Sequence, residues 1–334
     1  MNYRFPASVA LIAGLAWAAG LNHPTGKQGL LLIDKVGGQI RFFDPLTYKE
    51  QSAIPAPKNP HDFAISADHK FAYVPIYGDG VYNRNPNPGH EVLVIDLVKR
   101  SIAASIDVSP YKSLHGVQLG KSGMLYVAAD ESRRVLVIDT KTRKLVDAID
   151  TEGTAHWIAM LPDESKLYTA NKADRLFISV IDLKTRKMVG KIPVPNGTQG
   201  ITASPDGKMI VAVDLVAPEL ILIDPRMDVV TDHIRLKDHT GPSYKVYFSP
   251  DGKKLLTMTE RPPLMNILDV ANLKGEQKTL PVGKDPMGFA FSADGKTVLV
   301  ANHGDGTVSV VDLVKNEVVQ KFPAGVGIET LTYY

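Results

Sequence analysis

The chain has 334 residues, of which 44% are hydrophobic and 22% charged, with 38 Lys and Arg against 36 Asp and Glu. This composition is typical of a globular protein with a large core and excludes a disordered or collagen-like chain. A net charge of +2 is too small to attract phosphate backbones strongly, so nucleic acid is not expected as a partner. The absence of cysteine excludes disulfides and thiolate ligands, so any metal would use His, carboxylate or other oxygen ligands.

The first twenty residues have the order of a secretory signal peptide. Arg4 precedes a short apolar run from Phe5 to Ala19 that ends in small residues. The run is shorter than the roughly 20 residues that a membrane helix needs, and no later stretch is apolar enough to cross. We therefore expect a signal peptide at 1–20 and one domain at 21–334, periplasmic or secreted, without a membrane span after signal removal. An apolar N-terminal strand or membrane anchor is the alternative interpretation.

An apolar strand ending in Asp recurs seven times, at intervals of 42 to 52 residues. These aspartates are Asp44, Asp96, Asp139, Asp182, Asp224, Asp269 and Asp312. Turns of the Ser-Pro-Asp-Gly type, as at 204–207 and 249–252, keep the same period, and each precedes another apolar strand. Four short antiparallel strands in each unit of about 43 residues are typical of a β-propeller blade.

The two ends of the chain predict how the ring closes. Residues 29–53 supply three strands of a blade with no inner strand before them, and residues 327–333 supply an inner strand with no blade after it. Pairing of the two segments leaves no apolar face or strand edge uncovered. The prediction is an all-β protein, a seven-bladed β-propeller with four antiparallel strands per blade, functioning as a monomer.

Several of these strands resemble the YVTN-repeat β-propellers. The resemblance is carried by residues 168–171 (Tyr-Thr-Ala-Asn) and 299–302 (Leu-Val-Ala-Asn), the Ser-Pro-Asp-Gly turns and the Val-Ile-Asp strand endings, and it covers residues 28 to 334. It implies the fold and a similarity to exported bacterial propellers. Relatives by architecture include surface-layer, lactone-hydrolysing and haem d1-binding propellers, so the resemblance does not select an activity.

Counting back five residues from each turn aligns the starts of six inner strands, where propellers usually bind ligands. The last inner strand has no such turn and is aligned by Pro323, which precedes Glu329 by six residues as Pro281 precedes Met287. The aligned positions are His61, His115, His156, Gln199, Tyr244, Met287 and Glu329. His61, His115, His156 and Glu329 are consecutive around the closed ring. Imidazoles with a carboxylate predict a divalent transition metal, namely Zn, Fe, Mn or Cu. Haem is the alternative cofactor, and separate imidazoles lining a water-filled channel are the alternative to any site.

Other residues on the same face predict a substrate site. Arg133, Lys172 and Arg261, in loops after the second strands, are candidates to hold an anionic or polyhydroxylated substrate. Tyr244 is a candidate proton donor. The one long insertion, residues 76–91, predicts a lid over the site, with Tyr77, Tyr82, Arg84 and His90 facing the ligand.

These observations predict an exported metal-dependent enzyme, a hydrolase, lyase or oxidoreductase, that acts on a small polar molecule. Two alternatives stay open, a non-enzymatic binding or scaffold propeller with a cell-envelope protein partner and a haem d1-type cofactor-binding propeller. Gly-rich phosphate loops and the Gly-x-Ser-x-Gly elbow are absent from the sequence, which gives no support to nucleotide or serine-hydrolase chemistry.

Overall fold

The computed structural model describes residues 29–57, 59–82 and 84–334. The predicted signal peptide at 1–20 lies outside these residues. Within them, 28 strands form seven antiparallel sheets of four strands each around a central channel, which confirms the predicted seven-bladed propeller. Across these described ranges, none of the helical segments has the length and apolar character of a membrane span.

The strands are numbered in chain order, and each blade runs from an inner strand at the channel to an outer one. The closing blade contains β1 (Leu30–Asp34), β2 (Gln39–Phe43), β3 (Glu50–Pro55) and, innermost, the last strand of the chain, β28 (Ile328–Tyr333). The next three blades are β4 (Ala64–Ile65), β5 (Phe71–Pro75), β6 (Glu91–Asp96) and β7 (Ser101–Asp107); β8 (Leu114–Leu119), β9 (Met124–Ala129), β10 (Arg134–Asp139) and β11 (Lys144–Asp150); and β12 (Trp157–Met160), β13 (Lys166–Ala170), β14 (Phe177–Asp182) and β15 (Lys187–Pro193). The last three are β16 (Thr198–Ala203), β17 (Ile210–Asp214), β18 (Glu219–Asp224) and β19 (Val229–Arg235); β20 (Val246–Phe248), β21 (Lys254–Glu260), β22 (Pro263–Asp269) and β23 (Lys278–Pro281); and β24 (Pro286–Phe291), β25 (Thr297–Asn302), β26 (Thr307–Asp312) and β27 (Glu317–Pro323).

The middle strands of each blade are apolar without alternation because both of their faces are buried. In β1, Leu30 and Leu32 pack into the cluster shared with the preceding blade, whereas Leu31 and Ile33 pack into the cluster shared with the following one. All four side chains are fully buried. A strand covered on both faces is expected to be a continuous apolar run. Radial packing of blades against each other is therefore specified by the strand sequences themselves.

The recurring polar residues form turns. At the Ser-Pro-Asp-Gly turn, the Ser204 hydroxyl donates to Asp206 at 2.7 Å and accepts from the backbone N–H of Lys208 and Met209, while Gly207 adopts φ +70°. At the ends of the third strands, Asp carboxylates accept from backbone N–H groups two or three residues later, such as those of Val98 and Lys99 bound by Asp96. The recurring Ser and Asp side chains thus accept hydrogen bonds from backbone N–H groups that the strands leave unpaired.

The ring is closed by pairing of the two ends of the described chain. β28 pairs antiparallel with β1 along its whole length, from Tyr333 opposite Leu30 to Ile328 opposite Asp34. Beyond the strands, Gly29 and Tyr334 exchange two backbone hydrogen bonds of 3.1 and 3.0 Å. The predicted closure by residues 29–53 and 328–333 is confirmed.

Asp34 fastens this closure with a single buried carboxylate. Its oxygens accept from the backbone N–H groups of Gly327 at 2.9 Å, Val326 at 3.2 Å and Gly37 at 3.0 Å, and from Arg41 Nε at 2.9 Å. Burial alone would raise the pKa of Asp34, but these hydrogen bonds together outweigh burial and hold the pKa below its usual 3.8. The carboxylate is therefore ionised at neutral pH and joins the segment before β28 to the segment after β1.

Deletion of residues 328–334 should remove the inner strand of the closing blade and expose β1. We expect the melting temperature to fall by about 10 °C or more, or cooperative melting to be lost, because the apolar clusters beside β1 open to water. Differential scanning calorimetry measures this. A peptide of residues 328–334 added in trans should restore part of the lost stability, and a truncated protein that melts like the full chain would refute closure by this strand.

Asp34→Asn should lower the free energy of unfolding at pH 7 by about 2 kcal/mol, since it weakens charge-assisted hydrogen bonds. The folded pKa lies below the unfolded one, so the carboxylate stabilises the fold above the unfolded pKa and this stabilisation disappears as pH falls through the folded pKa. Urea unfolding of wild type and Asp34→Asn should therefore converge below pH 4. A difference that is absent at pH 7, or that persists unchanged at acid pH, contradicts this role.

Candidate functional site

The seven aligned positions all line one cavity at a mouth of the central channel, as the turn spacing predicts. They are His61, His115, His156, Gln199, Tyr244, Met287 and Glu329. Each lies at the beginning of its inner strand or within three residues before it. The cavity measures about 210 Å³. A second group of lining residues comes from the loops that follow the second strands, and it includes Lys35, Lys172 and His303.

The inner strands approach one another closely at this mouth, and glycines permit the approach. A Cβ on Gly116 would lie 2.9 Å from the carbonyl oxygen of His156, and one on Gly200 would lie 2.6 Å from that of Tyr244. These distances are too short for a side chain. The glycine after the axial residue therefore lets neighbouring blades bring their axial side chains together.

The three aligned histidines form a row of adjoining rings. Ring centroids are 3.9 Å apart for His61 and His115 and 3.6 Å apart for His115 and His156. All three residues are at most 5% exposed. Burial is the main cause that lowers the pKa of each imidazole well below 6.5, and neighbouring lysine ammonium groups lower it further. The imidazoles are therefore neutral at pH 7.

Asp130 orients the last ring of the row. It begins a short 3-10 turn after β9, and its Oδ2 lies 2.8 Å from His156 Nδ1 and accepts from the Tyr77 hydroxyl at 3.3 Å. Burial raises the pKa of Asp130 well above 3.8. Whichever atom of the pair carries the proton, Nδ1 of His156 is committed to this contact. Its Nε2 is the nitrogen left for chemistry in the cavity.

Glu329 is the buried carboxylate at the other end of the row. Its oxygens lie 3.6 Å from Lys35 Nζ, 3.7 Å from His61 Nε2 and 3.5 Å from His303 Nδ1. Burial alone would raise its pKa, but the positive charges of Lys35 and Lys245, with His303, outweigh burial and lower the pKa. Glu329 is ionised at neutral pH.

Three lysines, Lys35, Lys172 and Lys245, bring positive charge to the same cavity. Lys172 Nζ donates to Gln199 and lies 5.3 Å from the centroid of the Tyr82 ring. Burial lowers the pKa of Lys172 to about 8, although Asp130 opposes this. Lys245 is only 4% exposed, and its Nζ makes no hydrogen bond to any atom of the described residues.

The structure separates the other predicted site residues into two groups. Tyr77, Tyr82, Lys172 and Tyr244 line the cavity, so part of the 76–91 insertion contributes to its wall. The cavity lining does not include Arg84, His90, Arg133 or Arg261. His90 bonds the Tyr111 carbonyl at 2.8 Å, the half-exposed Arg133 pairs with Asp174 at 3.0 Å, and the Arg261 side chain is 88% exposed.

Sequence reasoning did not assign Lys35, Asp130, Lys245 or His303 to the site. Three of them follow second strands directly, at a position equivalent from blade to blade, and Lys245 is adjacent to the aligned Tyr244. The ends of the second strands bring these loops to the same face as the aligned positions. Nothing in the sequence shows which of these loop side chains turn towards the axis.

The arrangement of the row differs from that of a metal centre. Rings that bind one ion through bonds of about 2.0–2.1 Å stand about 4.5–5 Å apart between centroids, which is wider than the spacing found here. In the described part of the chain, no group of three or more His, Asp and Glu side chains is arranged to hold a metal ion. The donor types nevertheless suit a transition metal, and Nδ1 of both His61 and His115 lacks a hydrogen-bond partner among the described residues.

Replacing Asp130 by Ala should lower the free energy of unfolding by about 1–3 kcal/mol, because the Tyr77 hydroxyl and His156 Nδ1 would be buried without their acceptor. Asp174→Ala is the matched control: it removes a carboxylate paired with a half-exposed arginine and should cost less than about 1 kcal/mol. Urea unfolding measures both. Equal effects of the two substitutions would show that Asp130 does not organise the row.

Comparison with known proteins supports the fold. The YNCE-like beta-propeller family model matches residues 81–241, just under half of the chain. No curated protein matches the sequence. Among solved structures, a chain of Kuenenia stuttgartiensis hydrazine synthase is similar, with a TM-score of 0.68 and 20% identity over 82% of this chain and 89% of that chain. At this identity the likeness concerns the fold alone. The chain is therefore a seven-bladed β-propeller that carries a YNCE-like propeller segment in its first half and middle.

Proposed function

We propose that the axial cavity is the substrate site of an enzyme that acts on a small anionic molecule bearing a carboxylate or phosphate group. The observation that carries the proposal is the convergence of three lysines, Lys35, Lys172 and Lys245, on one small buried cavity. Glu329 is the ionised carboxylate that lines the cavity with them. An anionic ligand would supply the missing negative charge.

The cost of burying these charges supports this proposal. A buried ammonium group is destabilising unless an opposite charge or several hydrogen-bond acceptors surround it. Lys35 has Glu329 at 3.6 Å and Lys172 has the Gln199 side chain, whereas Lys245 has neither. A carboxylate or phosphate placed among the three would be attracted to all of them. Exclusion of water from the cavity strengthens that attraction.

The imidazole row favours an enzyme over a scaffold. A binding face for a cell-envelope protein requires neither neutral buried imidazoles nor a carboxylate that orients one of them. His156, backed by Asp130 at 2.8 Å, has the arrangement of a general base whose second nitrogen is held in place. We propose His156 as the proton-transfer group and Tyr244, which lines the cavity two blades further round the ring, as a substrate contact.

The size of the cavity limits the ligand. At about 210 Å³ it is smaller than the roughly 300–1,000 Å³ of sites for drug-sized ligands. A substrate of a few non-hydrogen atoms fits this volume. Haem does not fit the cavity in this conformation, and we do not propose it.

A divalent transition metal is the second candidate ligand. The contact of Asp130 with His156 resembles the carboxylate–histidine pairs that support metal ligands, which favours this candidate. His61, His115, His156 and Glu329 would hold Zn, Fe, Mn or Cu, and the metal would polarise a carbonyl or activate water. Separation of the rings would be needed, and three lysine ammonium groups would repel the ion. The anion is therefore our first choice.

We also propose that the protein acts outside the cytoplasm. The support for this part is the sequence pattern at residues 1–20 alone.

Calorimetric titration of untagged protein with pyruvate, acetate and inorganic phosphate tests anion binding. Metal analysis of the same preparation tests the second candidate. Lys172→Met should weaken binding of pyruvate about tenfold or more, since a buried charge pair is lost. Lys166→Met is the matched control, because Lys166 pairs with Asp228 outside the cavity. Absence of binding by every anion, or stoichiometric metal, would refute the proposal.

The pH dependence of pyruvate binding should show the deprotonation of Lys172. The pKa of Lys172 is about 8, so the ammonium form, which attracts the anion, is lost as pH rises through 8. Affinity should fall between pH 7 and 9.5 in wild type, and the part of the fall due to Lys172 should vanish in Lys172→Met. Glu329 and the three histidines do not titrate in this range, because their pKa values lie below it. An unchanged profile in the variant contradicts the assignment.

A further inference from the structure

The amine of Lys245 makes no hydrogen bond within the described residues. The residue is only 4% exposed, and its Nζ has no hydrogen-bond partner among the described residues. Nζ lies over the face of Trp157, 4.2 Å from the ring centroid. Lys245 and Trp157 line the axial cavity and also a second cavity of about 280 Å³ further along the channel. The amine therefore lies at the floor of the axial cavity.

We propose that Lys245 is a catalytic residue that forms a Schiff base with the carbonyl carbon of a small oxo acid. This inference rests on the proposed function in one respect, that the substrate is anionic. The class of substrate is thereby narrowed to molecules that carry a ketone or aldehyde close to a carboxylate.

The three lysines differ in the partners of their amines, and we assign them different roles for that reason. Lys35 lies 3.6 Å from Glu329, and Lys172 donates to Gln199 with its Nζ 5.3 Å from the centroid of the Tyr82 ring, so a partner holds each of these amines in position. Those two are suited to hold a carboxylate. Lys245 has no such partner to hold its proton. It is the amine available for attack.

The surroundings of Lys245 make its proton easier to lose than that of a surface lysine. Burial is the main cause that lowers the pKa of this amine, and the charge of Lys35 lowers it further, although Glu329 and Asp62 oppose them. Asp62 lines the second cavity, and burial raises its pKa to about 6. Burial away from water and a neighbouring cation both lower the pKa of a lysine and thereby activate it as a nucleophile.

The chemical step needs no reagent beyond the amine and the carbonyl compound. The Nζ lone pair forms the C–N bond, the carbonyl π electrons move to oxygen, and oxygen takes a proton while nitrogen loses one. The hydroxyl then leaves as water with the second amine proton, which gives a neutral C=N bond, and uptake of a proton from solvent gives the iminium form. Neutral imidazoles of the row, such as His115, can accept and return the proton. The iminium form of the product withdraws electrons and promotes proton removal or decarboxylation at the neighbouring carbon.

Reductive trapping tests the inference. Untagged protein is incubated at pH 7 with pyruvate and sodium cyanoborohydride, and the modified lysine is located by peptide mass spectrometry. We expect labelling of Lys245 to exceed that of any surface lysine by about tenfold or more, because surface amines with a pKa near 10.4 are almost fully protonated. Lys245→Arg should lose this label, and Lys166→Arg should keep it. Mapping in wild type remains decisive if Lys245→Arg fails to fold.

Acetone, a ketone without a carboxylate, separates this inference from the proposed function. Preferential labelling of Lys245 by pyruvate and not by acetone supports both. Equal labelling by the two ketones supports the Schiff base and counts against anion recognition. Pyruvate binding seen by calorimetry without any label on Lys245 overturns the Schiff base and leaves anion recognition standing. Labelling spread evenly over surface lysines, or none at all, also overturns it.

Discussion

The constraint on which the rest of the structure depends is the pairing of β28 with β1. Seven radial sheets that are apolar on both faces are stable only as a closed ring, since an open row would expose two blade faces. Closure by β28, fastened by Asp34 through bonds to Gly327 and Val326, holds the seven inner strands at fixed angles around one axis. Glu329 is carried on that closing strand, so the element that completes the fold also completes the axial cavity.

Crowding at the axis explains the electrostatics of the site. Glycines such as Gly116 and Gly200 let neighbouring blades come together, and the axial side chains then lose contact with water. Desolvation opposes charge on every one of them, so the imidazoles become neutral and the amines of Lys172 and Lys245 lose protons more readily. The fold thus creates perturbed titratable groups in a cavity, which is the usual property of a catalytic site.

Much of the fold and part of the site could be predicted from the sequence, for different physical reasons. Turns such as that at Ser204 have a fixed geometry and a fixed distance to the inner strand, so counting from them located His61, His115 and His156 at the axis. No comparable spacing predicts the direction in which a loop side chain points. Arg133 follows the same strand as Asp130, yet it turns outward to Asp174 while Asp130 turns inward to His156. The charge balance of the cavity depends on these orientations, and for that reason the sequence led to the metal hypothesis whereas the lysines around the cavity lead to the anion proposal.

The central claim is that the axial cavity recognises an anion with its lysines instead of a metal with its histidines. Anomalous X-ray diffraction from crystals of untagged protein grown with pyruvate and a mixture of Zn, Mn, Fe and Cu salts tests it most directly. The account predicts density for the anion near Lys35, Lys172 and Lys245 and no anomalous peak at the imidazole row. An anomalous peak about 2.0–2.2 Å from nitrogens of His61, His115 and His156 would contradict it.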